Sequence, residues 1–414
     1  MATRADDASI AVADMTRVTT FAEVDEVLRS RDFAQAAHQD RDSAPLIKDS
    51  LITLHGGDHF TRRRLEAALF TRETLSRYEH EILVPAIERM LQVATETGRG
   101  PDGLVRADLL STVRLALLQM TAAMVGLDGV DTPERAERLR QLAVQIGEGA
   151  AVEWSTRPHD EVIAGALVAK QAYVDEYYQA SIDERRRRLA ARTDENAPID
   201  NDLLTLLLVH FADDWDEDLA IREAILFLVA ASNTTTNATP HVVRELSAWL
   251  EAHPEDWSRV EDPEFLRAAA NEALRLHPPV PALLRKAMTD IVTESGRAYA
   301  EGEHVAVDLD AANRDPEVFG PDADEFNPNR RSTERNRPFG FTFGGGTHMC
   351  LGRALAVGAP QGEMDEEGLV GVMVRVLREL YRAGVRLDPD APPQLRPNTE
   401  QKNYLSFPVI YGAL

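Results

Sequence analysis

A chain of 414 residues, 44% of them hydrophobic, can bury a large core, which excludes global disorder. Its formal net charge of −24 opposes binding to nucleic-acid phosphates or anionic membranes. One cysteine excludes an intrachain disulfide and fits a reducing cytoplasm, and neither a signal peptide nor a bilayer-spanning apolar run is visible.

In chain order, helical periodicity dominates. Helices are predicted at 21–30, 59–70, 73–97, 110–124, 132–148, 160–192, 202–213, 216–250, 262–277 and 366–383. Strand-like alternation is confined to the neighbourhoods of 283–292, 296–306 and 403–410. The fold class is mainly α with small β-sheets, expected as a single domain over 1–414. The basic run Arg185–Arg188, flanked by Asp183 and Glu184, reads as a solvated helix face.

Within 216–250 an apolar centre turns abruptly polar at Asn233, Thr234, Thr235 and Thr236. These residues compete for backbone hydrogen bonds, so they mark either a helix end or a site. Pro240 cannot bond the Thr236 carbonyl, which predicts a kink. Further on, Phe343-Gly344-Gly345-Gly346-Thr347-His348-Met349-Cys350-Leu351-Gly352-Arg353-Ala354-Leu355-Ala356 holds the only cysteine. A thiol at a helix start meets backbone N–H groups that favour thiolate, and glycines permit close approach of a large flat group. One thiolate cannot build a tetrahedral zinc site, but it can be the single axial ligand of a haem.

That stretch resembles the haem loop of the cytochrome P450 family, F-x-x-G-x-H-x-C-x-G-x-x-L-A, without a mismatch. Four further signatures follow the family's order. His59 and Arg63 match H-x-x-x-R; Glu272 and Arg275 match E-x-x-R; Arg285 follows Pro278-Pro279; and Phe326-Asn327-Pro328-Asn329-Arg330 resembles the meander before the cysteine. The resemblance implies the cytochrome P450 fold and haem b (iron protoporphyrin IX) as cofactor. Cys350 would then ligate the iron, with Phe343, Gly344 and Gly352 shaping the loop. His59, Arg63, Arg285 and His348 would hold the propionates, and Glu272, Arg275 and Arg330 would form a structural ion network.

The family's oxygen-binding pattern A-G-x-[D/E]-T-T reads here Ala230-Ala231-Ser232-Asn233-Thr234-Thr235. By resemblance Thr234 bonds dioxygen and holds a water, while Asn233 replaces an acid that relays protons. An amide positions water but cannot cycle a proton. Two more departures stand out. The strand-to-helix step at Val18–Val24 comes early, so the N-terminal helix and strand pair reads as abbreviated. Val357–Gly368 interrupts a normally continuous helix and adds Glu363, Asp365, Glu366 and Glu367 where an acidic ferredoxin would be repelled.

The resemblance therefore implies a cytoplasmic monooxygenase that inserts one oxygen atom from O2 into a small lipophilic molecule. Electrons would come from a ferredoxin and its NAD(P)H-dependent reductase, with no nucleic acid or membrane involved. Substrate contacts are expected from 36–57, 150–185, 227–235, 280–284 and 403–407. The alternatives are a peroxide-driven or non-hydroxylating haem-thiolate enzyme and a non-catalytic partner protein.

Overall fold

A computed structural model describes residues 12, 15–36, 43–194, 199–331, 337–358 and 369–412. The abbreviated N-terminal region expected from the sequence falls mostly on 1–14, largely outside these residues. Helices predominate, and the predicted helices are present, except that the one expected at 366–383 is described only as Val372–Arg382, with 366–368 outside the described residues. The first described one, Phe21–Arg29, starts where Thr20 accepts from the Glu23 N–H. Leu109–Val125 is capped by Asp108 and ends at Gly126 in the left-handed region (φ 94°). The predicted segments 73–97 and 160–192 are continuous helical runs, each containing a π-helical turn, Tyr78–Leu83 and Val174–Tyr178.

The long helix Glu217–Ala252 crosses the core and packs against Leu109–Val125. Its polar stretch does not end it. The hydroxyls of Ser232, Thr234, Thr236 and Thr239 each donate to the carbonyl four residues earlier, at 2.5, 2.8, 2.6 and 2.8 Å. The competition that makes these residues poor helix formers is thereby satisfied inside the helix. Pro240 also lies within it.

The strands are short. A four-stranded sheet has the order Thr16–Val18, His304–Asp308, Ala282–Ala287, Phe33–Gln35, with the first pair parallel and the others antiparallel. Its register sets Gln35 opposite Arg285. A second sheet joins Val105–Asp108, Pro408–Tyr411 and Val385–Leu387. The Arg185–Arg188 run is only partly a solvated face. Arg185 is buried between Asp128 and Asp202, because its aliphatic stem faces the core while its head finds two carboxylates. Among the described residues no helix is long and apolar enough to cross a membrane.

Candidate functional site

The cysteine loop hangs from a buried ion network. Glu272 and Arg275 sit one turn apart on the helix Pro263–Leu276, and Arg275 is fully buried. Its Nε and Nη2 donate to the two Glu272 oxygens at 2.8 and 2.7 Å, and Nη1 donates to the Asn313 and Ala323 carbonyls. Arg330 adds a bond to Glu272 at 2.9 Å and a pair with Asp322. Asn313 passes this order on: its amide donates to the Arg275 carbonyl and accepts the Phe341 N–H at 2.6 Å. Thr342 donates to the Leu274 carbonyl at 2.7 Å. The entry to the loop is fixed from below.

The loop closes when the Cys350 N–H donates to the Phe343 carbonyl at 2.8 Å. Gly346 must be glycine: its φ is +61°, and a Cβ would lie 2.1 Å from the Leu28 carbonyl oxygen. At Gly352 a Cβ would meet Phe70 at 3.6 Å and the Cys350 sulfur at 3.9 Å, so the sulfur's flank stays open. Cys350 is solvent-accessible, with protein packed around the rest of the loop. Enclosure pushes its thiol pKa up, while the Gly352 N–H, Arg63 and Arg353 pull it down. Phe70 links this loop to the long helix through Phe227, with ring centroids 6.3 Å apart.

Beside the sulfur, five basic side chains gather from three separate segments. His59 and Arg63 come from the helix Gly56–Glu66, His55 from the residue before it, Arg285 from the strand Ala282–Ala287 and His348 from the loop. The His59 and His348 rings lie 4.1 Å apart, and those of His55 and His348 lie 5.8 Å apart. Arg63 donates to the Met349 carbonyl at 2.6 Å, and Arg285, almost wholly buried, bonds the Gln35 side chain and the Leu284 carbonyl.

Among the described residues none of the five has an ion-pair partner. Burial, then His59, Arg285, His55 and Arg63, hold His348 down to about 3. Burial also brings Arg285 to about 10. His55 and His59 are lowered by burial first and by neighbouring arginines second. Two guanidiniums and three imidazole donors with no carboxylate at ion-pair distance among the described residues suit a ligand bearing two acid groups. Sequence reasoning missed His55 and Gln35 as members. The H-x-x-x-H spacing of 55 and 59 was the available signal for one, and only strand register exposes the other.

On the long helix, Ala230 is exposed between the half-buried Val229 and Ala231, and Thr234 places its hydroxyl on the Ala230 carbonyl. Asn233 turns away. Its amide nitrogen would lie 2.5 Å from a Cβ at Gly147 of the helix Pro133–Ala150, and it makes no side-chain hydrogen bond among the described residues.

Comparison with known proteins agrees with this geometry. A Cytochrome P450 family model matches residues 160–358. The "Biotin biosynthesis cytochrome P450" of Bacillus subtilis is 28% identical over 300 residues, 72% of this chain. The aligned regions span 67% and 62% of the first two curated relatives' lengths. Over residues 160–358 the chain thus matches the cytochrome P450 family, and it resembles P450s over most of its length. Among solved structures, P450BioI in complex with a hexadec-9Z-enoic acid-ligated acyl carrier protein has a TM-score of 0.71 at 21% identity, covering 96% of this chain and 92% of that one. CYP109E1 from Bacillus megaterium, in complex with testosterone, has a TM-score of 0.69 at 20% identity, covering 96% and 93%. This chain thus has the P450 fold and is placed among the P450 monooxygenases, oxidoreductases whose cofactor is haem b bound through a cysteine thiolate. The residues present fit that group. A single accessible sulfur, room beside it at Gly352, and two arginines with three histidine donors that lack ion-pair partners among the described residues match an iron ligand, a flat ring and two propionates.

Of the acidic insert expected at Val357–Gly368, residues 359–368 lie outside the described residues. Its two roots lie side by side, since a Cβ on Gly371 would be 2.3 Å from the Gly358 nitrogen. The helix after the cysteine is accordingly two pieces, Arg353–Val357 and Val372–Arg382.

Proposed function

We propose that the protein, as one haem domain, is a haem-thiolate monooxygenase that inserts one oxygen atom from O2 into a small lipophilic molecule. The supporting observation is the unneutralised cluster of His55, His59, Arg63, Arg285 and His348 beside the only cysteine. Cys350 would ligate the iron, and His59, Arg63, Arg285 and His348 would hold the propionates. Phe343, Gly344 and Gly352 keep the loop open, and the bound haem supplies the activation of O2. Thr234 holds a proton at Oγ1, parked on the Ala230 carbonyl at 2.8 Å and free to turn toward a ligand in the cleft. Asn233 cannot take up and release protons, so water must complete the supply. The ligands in the two structural relatives' names, an acyl chain and a steroid, support a lipophilic substrate. Electrons come from a separate ferredoxin and its NAD(P)H-dependent reductase, in a cytoplasmic setting.

A second reading is favoured by one observation. Asn233 is packed against Gly147 without a hydrogen bond, so no acid serves this position, and a peroxide-driven cycle needs less proton delivery. Incubation with fatty-acyl and steroid substrates separates the two. Product that requires O2, ferredoxin and reductase, and carries label from heavy-isotope O2, supports the monooxygenase. Product formed only with hydrogen peroxide supports the second reading.

A further inference from the structure

A cavity of about 410 Å3 opens between the helix Pro263–Leu276, residues 327–331 and 337–339, and the short helix Arg353–Val357. It lies outside the site described above, although Glu272, Arg330 and Arg353 border both. The acids in its wall are already neutralised: Glu264 pairs with Arg267, and Glu272 pairs with Arg275 and Arg330. Arg331, Arg337 and Arg353 are not. Among the described residues none of the three has a carboxylate at ion-pair distance. Arg353 reaches only the face of Phe339, 5.9 Å from its centroid, and Arg337 only the Gly344 carbonyl at 3.4 Å. Arg337 is disfavoured as a cation there, by burial first and then by Arg29 and Arg353.

A second observation points the same way. Asn271, 7% exposed, lines the cavity with an amide oxygen that has no hydrogen-bond partner. Such a group costs stability unless something fills its bonding capacity. A half-turn of the amide presents its NH2 at the same place, so the position can serve an anion. The hollow has the volume of a small-molecule site, and its unsatisfied amide sits in the wall rather than at the rim. Three guanidinium forks suit the oxygens of a multiply charged phosphate.

We propose that this cavity binds a small organic phosphate. Arg331, Arg337 and Arg353 take the phosphate oxygens, the Asn271 amide takes one more polar contact, and the organic body lies against Phe339. The proposal does not depend on the monooxygenase reading.

Calorimetric titration of the haem-loaded full chain with inorganic pyrophosphate and with adenosine diphosphate tests it. Saturable binding of both is expected, tighter for the nucleotide, and weaker at high salt. Arg331→Ala and Asn271→Asp should each weaken pyrophosphate binding about tenfold or more, the loss of one charge-assisted contact. The carbon monoxide spectrum of each variant, unchanged from wild type, shows that the fold is intact. No saturable heat, equal affinity in the variants, or a nucleotide no tighter than pyrophosphate would overturn the proposal. Silence toward pyrophosphate, with an acidic ferredoxin bound through Arg331, would also overturn it and make this face a protein-docking surface.

Discussion

Two charged clusters lie on either side of the cysteine loop and are built on opposite principles. Glu272, Arg275 and Arg330 close on one another: the fully buried arginine has both Glu272 oxygens and two carbonyls as partners. His55, His59, Arg63, Arg285 and His348 are all basic, and three of them have pKa values lowered in part by another of the five. A structural network satisfies itself within the chain. A binding site leaves its charge unbalanced until the ligand arrives.

Breaking the closed network should have the largest effect. Glu272→Ala strands Arg275 in the core at a cost of about 3–5 kcal/mol, which approaches the whole stability of a domain. Thermal unfolding should show loss of the cooperative transition and of retained haem. Arg285→Met tests the open cluster and should do something different. Removing a buried guanidinium that has no carboxylate partner among the described residues should leave the haem-free protein at least as stable as wild type, while haem release to a competing globin accelerates about tenfold. Equal destabilisation with and without haem would erase the distinction between the clusters.

The third effect is graded with pH. His348 is held at about 3 in the fold, against an ordinary value near 6.5. The unfolded chain therefore binds a proton that the native state refuses, and stability is lost as pH falls from about 6.5 toward 3. Propionates supply the missing negative charge, so haem-loaded protein should lose less over that window. Melting temperatures of both forms across the window provide the check.

The smallest effect sharpens the contrast with a mixed case. Glu66 and Glu223 are both wholly buried and share Arg62, and both Glu66 oxygens lack a hydrogen-bond partner. Burial first and Glu223 second raise the Glu66 pKa well above the ordinary carboxylate value. A raised carboxyl pKa contributes stability at low pH that is lost as pH rises toward the folded pKa. Glu66→Gln should therefore raise the melting temperature by a few degrees at pH 8 and by less at pH 5.

What the sequence disclosed follows from the range of each signal. The cysteine loop, the Glu272–Arg275 pair and the His59–Arg63 pair are local spacings on one loop or one helix face, so residue order alone displays them. The helices were legible for the same reason. The strands Thr16–Val18, Phe33–Gln35 and Val105–Asp108 were not, because three or four residues carry no measurable alternation. Their register is what brings Gln35 to Arg285. Asn233 was visible as a substitution, but its turn toward Gly147 depends on packing between helices far apart in the chain. The threonines after it could equally have ended a helix; only their hydrogen bonds to carbonyls one turn back show that they do not.

The central claim is that the unbalanced basic cluster and the lone sulfur form one haem site. The difference spectrum of the reduced, carbon monoxide-treated protein tests it most directly. The account predicts a band at the position that gives the family its name, lost in Cys350→Ser and weakened in proportion to haem loss in Arg285→Met. A band at the position of a neutral-ligand haem, or no haem uptake by the intact chain, would contradict it.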